Sequence, residues 1–274
     1  MRATTRASNM QYSWEKMTVE QLRDRACRGG LVLLPVGSIE QHGPHLPSGV
    51  DALLALEAAN RVATLLIERM PVVVAPPLWW GLAEHHMRFG GTLTLSLPTY
   101  HAVLRDVCRS IMRAGFTRIA LVNGHGGNIS ALNAIVNELT AELPVTVAVT
   151  TYLTAAADDI EEILEGQSGV MHACEGETSM MLAAHPDLVV AERVPDAHGP
   201  ECGLQSDNVP VYLWRSFEEI TESGVAGDAR LATADKGEKL LAVCAQRLAD
   251  VLGAPETWRR DATIDREFAV STQS

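Results

Sequence analysis

Short apolar runs alternate with longer stretches of helical periodicity along this chain. Leu31–Ser38 is almost wholly apolar and follows the turn signal Gly29-Gly30, so it predicts a buried strand. Asp51 then stands where the chain turns into a helix expected over Ala52–Met70. Val72–Ala75 is a second β-branched run, stopped by Pro76-Pro77. After a loop with several aromatics, Thr92–Ser96 suggests a further strand, and Pro98 opens a helix through Ala114 that Gly115 ends. Arg118–Val122 is the next buried strand, and it runs into Asn123-Gly-His-Gly-Gly-Asn128. A helix to about Leu143 is stopped by Pro144, and Val145–Tyr152 is a fourth strand. Helices follow at Ala155–Glu165, Glu175–Ala184 and Ala232–Leu252, with an irregular stretch at 195–230.

Strands that are apolar throughout and alternate with helices predict a mostly parallel central sheet covered on both faces, a three-layer α/β/α sandwich. In such sheets the site lies beyond the carboxyl ends of the strands, and the unusual polar residues do fall there. The chain has 274 residues, which suits one α/β domain. That domain is expected over 17–256, between a patternless N-terminal tail (1–16) and a C-terminal tail (257–274).

Charge and cysteine content narrow the partners. The net charge is 22 − 34 = −12, a poor match to nucleic-acid phosphates. The longest apolar-looking stretch, from Ala52 to Ile67, is broken by Glu57, Asn60 and Arg61, so no membrane span is expected. The first sixteen residues lack the apolar segment of a secretory signal. Cys27, Cys108, Cys174, Cys202 and Cys244 are odd in number and form no C-x-x-C pair, which fits neither a disulfide framework nor a zinc finger. A reducing cytoplasm is the simplest location.

Three clusters carry candidate chemistry. Glu40 and His42 are two apart after the first strand, so in extended backbone they project from one side. A carboxylate beside an imidazole suits Zn²⁺, Mn²⁺ or Fe²⁺. Asp51, nine residues later, reads as a helix cap when taken alone and as a further ligand beside Glu-x-His. In the second cluster, three glycines around His125 allow close backbone approach, and a metal ligand is the better reading. The turn lacks both G-x-G-x-x-G spacing and a P-loop lysine, which argues against a phosphate cradle. In the third, His172 precedes Glu175 and Glu177 at the start of an apolar helix. Those carboxylates either complement the helix dipole or serve chemistry. Cys174 beside them is a poor nucleophile, because neighbouring carboxylates raise a thiol pKa. Among weaker features, His85-His86 is placed to line a substrate pocket or touch metal, and Trp79-Trp80 and Trp214 to wall it, against the default of buried packing.

Taken in order, Glu40-x-His42 with Asp51, Asn123-Gly-His125-Gly-Gly-Asn128, and His172-Ala-x-Glu175-x-Glu177-Thr-Ser resemble the creatininase (creatinine amidohydrolase) family. The resemblance runs from about residue 31 to 190 and resumes faintly at Gly227–Gly237. It implies a single three-layer α/β/α domain with two divalent ions per subunit, Zn²⁺ and/or Mn²⁺, with Fe²⁺ as an alternative. It also implies hydrolysis of a non-peptide C–N bond in a small linear or cyclic amide, and a homo-oligomer, often a hexamer. Carried over, Glu40 and His125 bind one ion, His42 the other, and Asp51 bridges. His172 takes the catalytic position as general acid, and Glu175 either accepts the water's proton or orients His172. Creatinine-cleaving members carry a carboxylate ligand where this chain has Gly127; Glu177 is the replacement ligand, and creatinine itself is disfavoured. His86-x-x-Phe89 is usually followed by Pro, here Gly90, so a looser pocket loop is expected, with His86 and Trp80 facing substrate. The family also holds a deformylase, a peptidase and a keto-sugar hydrolase, and the shared motifs do not choose among them. The competing class is a non-catalytic metal- or nucleotide-binding protein, which has no use for a proton shuttle beside its ligands.

Overall fold

The computed structural model describes residues 11–201 and 213–259. Helix α1 (Val19–Cys27) leads into β1 (Leu31–Val36), α2 (Val50–Leu66) and β2 (Val72–Val74). Helix α3 (Leu97–Arg113), β3 (Arg118–Asn123), α4 (Ile129–Glu142) and β4 (Thr146–Thr151) follow. Three further helices, α5 (Ala157–Ile163), α6 (Glu175–Ala184) and α7 (Ala234–Gly253), end the ordered core. All pairings in the sheet are parallel, in the order β2-β1-β3-β4.

Side chains alternate faces along each strand, and here both faces are covered. Leu31, Leu33, Val72, Val74, Ala120 and Val122 pack with residues of α2, α6 and α7. Val32, Leu34, Val73, Ile119, Leu121 and Val147 pack with residues of α3 and α4 on the other side. That is why β1 has no polar position: all six of its residues are buried. Each such Leu, Ile or Val contributes roughly 1.5–3 kcal/mol on burial.

The strand order reverses at β1. The chain leaves β1 toward β2 on one side and returns to β3 on the other, so a crevice opens beyond the ends of β1 and β3, where Val36 pairs with Asn123. The first turn of α2 presses into that crevice. A Cβ at Gly124 would stand 2.3 Å from the Asp51 carbonyl oxygen, and one at Gly37 2.5 Å from the Ala52 nitrogen. Only glycine allows both strand ends to meet the helix backbone so closely.

Three expectations change. The cap of α2 is Gly49, with no side-chain cap, so Asp51 lies inside the first turn and its carboxylate is free for the crevice. Thr92–Ser96 forms only isolated bridges, Ile39 to Leu93 and Gly81 to Thr94, because its partners are two separate loops. Residues 11–16, assigned to the tail, lie on the sheet: Ser13 bridges Val74, and the Trp14 ring centroid is 5.5 Å from that of Phe116. At the other end, Trp258 donates to the Leu252 carbonyl at 2.8 Å. Cys202 and the rest of 202–212 lie outside the described residues, as do 1–10 and 260–274.

Candidate metal centre

The loop after β1, the first turn of α2, the loop after β3 and the start of α6 bring Glu40, His42, Asp51, His125 and Glu177 together. All five are at most 8% exposed. Asp51 divides its carboxylate: Oδ1 is 3.2 Å from His42 Nε2 and Oδ2 is 3.1 Å from His125 Nδ1. Glu40 Oε2 is 3.0 Å from the same His125 nitrogen, and Glu177 Oε2 is 3.9 Å from His42 Nε2. The Ala173 amide, on a backbone turned to φ 55°, donates to Glu177 Oε2 at 2.5 Å and fixes that carboxylate.

The tautomers follow from the backbone. His42 Nδ1–H donates to the Glu40 carbonyl at 3.1 Å, and His125 Nε2–H to the Leu82 carbonyl at 3.1 Å. Each ring therefore turns its other nitrogen, His42 Nε2 and His125 Nδ1, toward carboxylates. Left neutral, that nitrogen would set a lone pair against a carboxylate, a repulsion relieved only by positive charge between them, whether a proton or a cation. Backbone carbonyls fixing the far ring nitrogen are also the usual support of metal-ligating histidines. Glu40 Oε2, Asp51 Oδ2 and His42 Nε2 are buried without a hydrogen-bond partner, although each lies close to another polar group. Groups that approach but do not align with one another are arranged around common points. Glu40, His42 and Asp51 meet within ligand reach, as do His42, His172 and Glu177.

Electrostatics agree. Burial opposes charge on His42, yet the carboxylates of Asp51 and Glu177 raise it to about 9. Burial likewise works against Asp51, but His42 and His125 hold its carboxyl well below the usual range. Glu177 is raised to about 7, first by burial, partly offset by His42. The cluster draws positive charge, and a proton on histidine competes with a cation for the same place. Taking a carboxylate out of water costs several kcal/mol, so an uncompensated trio would be strongly destabilising.

A second layer surrounds these groups. Gln41 Nε2 donates to His86 Nδ1 at 2.9 Å and to the Gly224 carbonyl at 3.1 Å. His86 Nε2 lies 3.3 Å from Glu40 Oε1 and is itself buried without a hydrogen-bond partner. His172 Nε2–H donates to the Gln41 carbonyl at 2.7 Å, leaving Nδ1 facing Glu40 Oε1 at 3.4 Å. Burial, with His42 and His86 nearby, holds His172 well below its ordinary pKa and hence neutral. Phe217 closes over both rings, its centroid 4.4 Å from His86 and 4.8 Å from His172.

The sequence matches the creatininase family profile, described as creatinine amidohydrolase, over residues 15–252. The chain belongs to the creatininase family. Creatinine amidohydrolase of Pseudomonas putida is 33% identical over 254 residues, covering 86% of this chain and 94% of the relative. Mycofactocin precursor peptide peptidase of Mycobacterium ulcerans (strain Agy99) is 29% identical over 234 residues, covering 82% and 87%. A crystal structure of creatinine amidohydrolase (creatininase) superposes with a TM-score of 0.74 at 30% identity, covering 91% of this chain and 99% of its own. Creatininase structures of a Zn-Zn type and an Mn form superpose at 0.71 and 0.72, each at 28% identity over 91% of this chain. The chain is therefore a hydrolase of the creatininase family, and its α/β fold is the fold of that family.

Within this creatininase-family frame, Glu40, His42, Asp51, His125 and Glu177 converge as expected, with His172 and His86 beside them. Glu175 does not join them. Its carboxylate accepts the amides of Glu165 (3.1 Å) and Gly166 (2.9 Å) and pairs with Lys236 Nζ at 2.6 Å. It faces the loop before α6, because one residue separates it from Glu177 and helical geometry turns the two side chains apart by about 200°. Trp80 is 47% exposed, and no ring or hydrogen-bond contact among the described residues ties it to the cluster. Gly90 adopts φ 78°, a conformation that a proline cannot take and that favours glycine at this point of the loop. Sequence reasoning missed Gln41 and Phe217. Gln41 sits inside the Glu-x-His motif, a signal that was available; a single Phe in an irregular stretch gave none.

Proposed function

We propose that this chain hydrolyses a C–N bond of a small amide or cyclic amide with two divalent cations, Zn²⁺ or Mn²⁺ with Fe²⁺ as an alternative. Glu40, Asp51 and His125 would hold one ion, and His42, Asp51 and Glu177 the second. The observation that carries this reading is the pair of histidine nitrogens, His42 Nε2 and His125 Nδ1, facing the two oxygens of one buried carboxylate. When bound, such a pair of ions supplies hydroxide at neutral pH and stabilises negative charge developing on the scissile carbonyl. Two dications against three carboxylates leave 4 − 3 = +1, which suits an oxyanion.

The remaining work falls to the chain. His172, neutral and anchored through Nε2 to the Gln41 carbonyl, presents Nδ1 to the cluster. It accepts the proton released on attack and returns it to the leaving nitrogen. Gln41 orients His86 beside Glu40, and Phe217 excludes water above His172.

A short-peptide amide is the second reading, supported by the similarity to the mycobacterial peptidase. Elemental analysis, with a screen of cyclic amides, formamides and short peptides, tests both. Chelator-sensitive cleavage of one class selects it; a metal-free protein inert to all three counts against the proposal. We further propose a single catalytic domain, the expected 17–256 widened to 11–259 by the packing of Ser13, Trp14 and Trp258 and supported by one sheet serving both cores. A homo-oligomer is supported by exposed apolar side chains such as Trp80, Leu93, Leu97 and Trp214. The free thiols of Cys27, Cys108, Cys174 and Cys244 support a cytoplasmic location. No helix among the described residues is long and apolar enough to cross a membrane.

A further inference from the structure

His85 remains unused by the chemistry above. It sits in the 3₁₀ turn Glu84–Phe89, is 9% exposed, and its Nε2 is buried without a hydrogen-bond partner. Its neighbour His86 turns the other way, toward Glu40 Oε1 and the ring of His172, whose centroid is 4.4 Å away. His85 instead lies nearly parallel to His125, centroids 5.6 Å apart and planes 12° apart. The two rings share a niche that exists because residue 127 has no side chain. A Cβ at Gly127 would stand 2.4 Å from His125 Nε2 and 2.7 Å from His85 Cε1. Ligand atoms of Glu40, His85 and His125 lie within 4.8 Å of one another.

We propose that His85 is a further protein ligand of the cation held by Glu40, Asp51 and His125. Resting on the two-ion reading above, this makes the two positions unequal. One is closed by four protein donors, two imidazoles and two carboxylates. The other, formed by His42, Asp51 and Glu177, has three and keeps a place open for water and substrate. Closed four-donor sites are the structural kind, and three-donor sites with an open position the catalytic kind. The closed ion is retained and orients Asp51; the open ion exchanges and meets the substrate.

The test compares wild type, His85→Leu and His85→Asp, each loaded with Zn²⁺, by metal stoichiometry and by release into excess chelator. Wild type is expected to hold two ions, one leaving fast and one slowly. His85→Leu should release the slow ion at least ~10-fold faster, since losing even a supporting partner of a ligand costs roughly 10–100-fold in affinity, with the fast phase unchanged. His85→Asp, which keeps a donor, should restore slow release. Two ions released from His85→Leu with wild-type kinetics would overturn the assignment. A wild type holding fewer than two ions would instead overturn the two-ion reading on which it rests. Zinc-edge X-ray absorption of wild type and His85→Leu gives a second answer: loss of one imidazole on substitution supports the proposal, and an unchanged imidazole count refutes it.

Discussion

Gly124 lies against the backbone of Asp51 so closely that a Cβ at 124 would stand 2.3 Å from the Asp51 carbonyl oxygen. Residues 73 positions apart (124 − 51 = 73) thus meet through main chain alone, and this contact sets where the bridging carboxylate projects. Gly124→Ala is expected to cost about 1–3 kcal/mol by overpacking and to lower metal occupancy. Urea denaturation followed alongside zinc content checks both; a destabilised variant with full occupancy would separate fold from site.

Asp51→Asn keeps the shape of the side chain and removes the charge shared between His42 and His125. Loss of both ions is expected, with secondary structure retained. Elemental analysis and circular dichroism test this, and a variant that still holds two ions would remove Asp51 from its bridging role.

His172→Asn should leave metal content intact and lower kcat by about 10²–10⁴-fold, the usual contribution of a positioned acid–base group. Gln41→Ala acts more gently: it removes the side-chain hydrogen bonds to His86 and the Gly224 carbonyl, while the residue-41 backbone carbonyl still holds His172. Its kcat should fall less than that of His172→Asn. Steady-state kinetics on one substrate rank the two variants, and the reverse order would contradict the assignment.

Glu175→Gln should behave differently from every residue above. Its carboxylate holds two backbone amides and Lys236, so the cost falls on stability, about 2 kcal/mol for hydrogen bonds to a charged group. Zinc content and kcat of the folded variant should match wild type. Lys236 titrates above its ordinary value: burial opposes its charge, but Glu165 and Glu175 outweigh it. A group raised on folding stabilises fully below its unfolded pKa, near ~10.5 for lysine, and loses that contribution as pH rises through the folded value. Wild-type stability should therefore fall in the alkaline range, with a weaker alkaline loss in Glu175→Gln. Denaturation midpoints measured against pH test the difference.

Chelation should abolish activity and lower the thermal midpoint together, because an ion that binds only the folded state stabilises it. Zn²⁺ or Mn²⁺ should restore both. Activity that survives complete metal removal, confirmed by elemental analysis, would sink the two-cation reading.

The sequence alone settled whatever depends on local pattern. Continuous apolar runs such as Leu31–Val36 and Arg118–Asn123 determined strands buried on both faces, since a strand with one solvated face would alternate. Polar motifs placed directly after those runs determined that Glu40, His42 and His125 would gather at one edge. What lay beyond pattern was the direction of side chains whose partners come from distant chain. Glu175 and Glu177 look equivalent in sequence, but only the placement of Lys236 and the 165–166 amides commits the first to the scaffold and leaves the second to the cluster. Asp51 read as a cap when taken alone and as a ligand beside Glu-x-His; the structure gives the cap position to Gly49, and the glycines at 37 and 124 let its turn into the crevice. Phe217 and Gly224 reach the site from an irregular stretch that carries no periodicity to read. Packing decided these roles because a side chain's partners are fixed by where other elements come to rest, and no local rule encodes that.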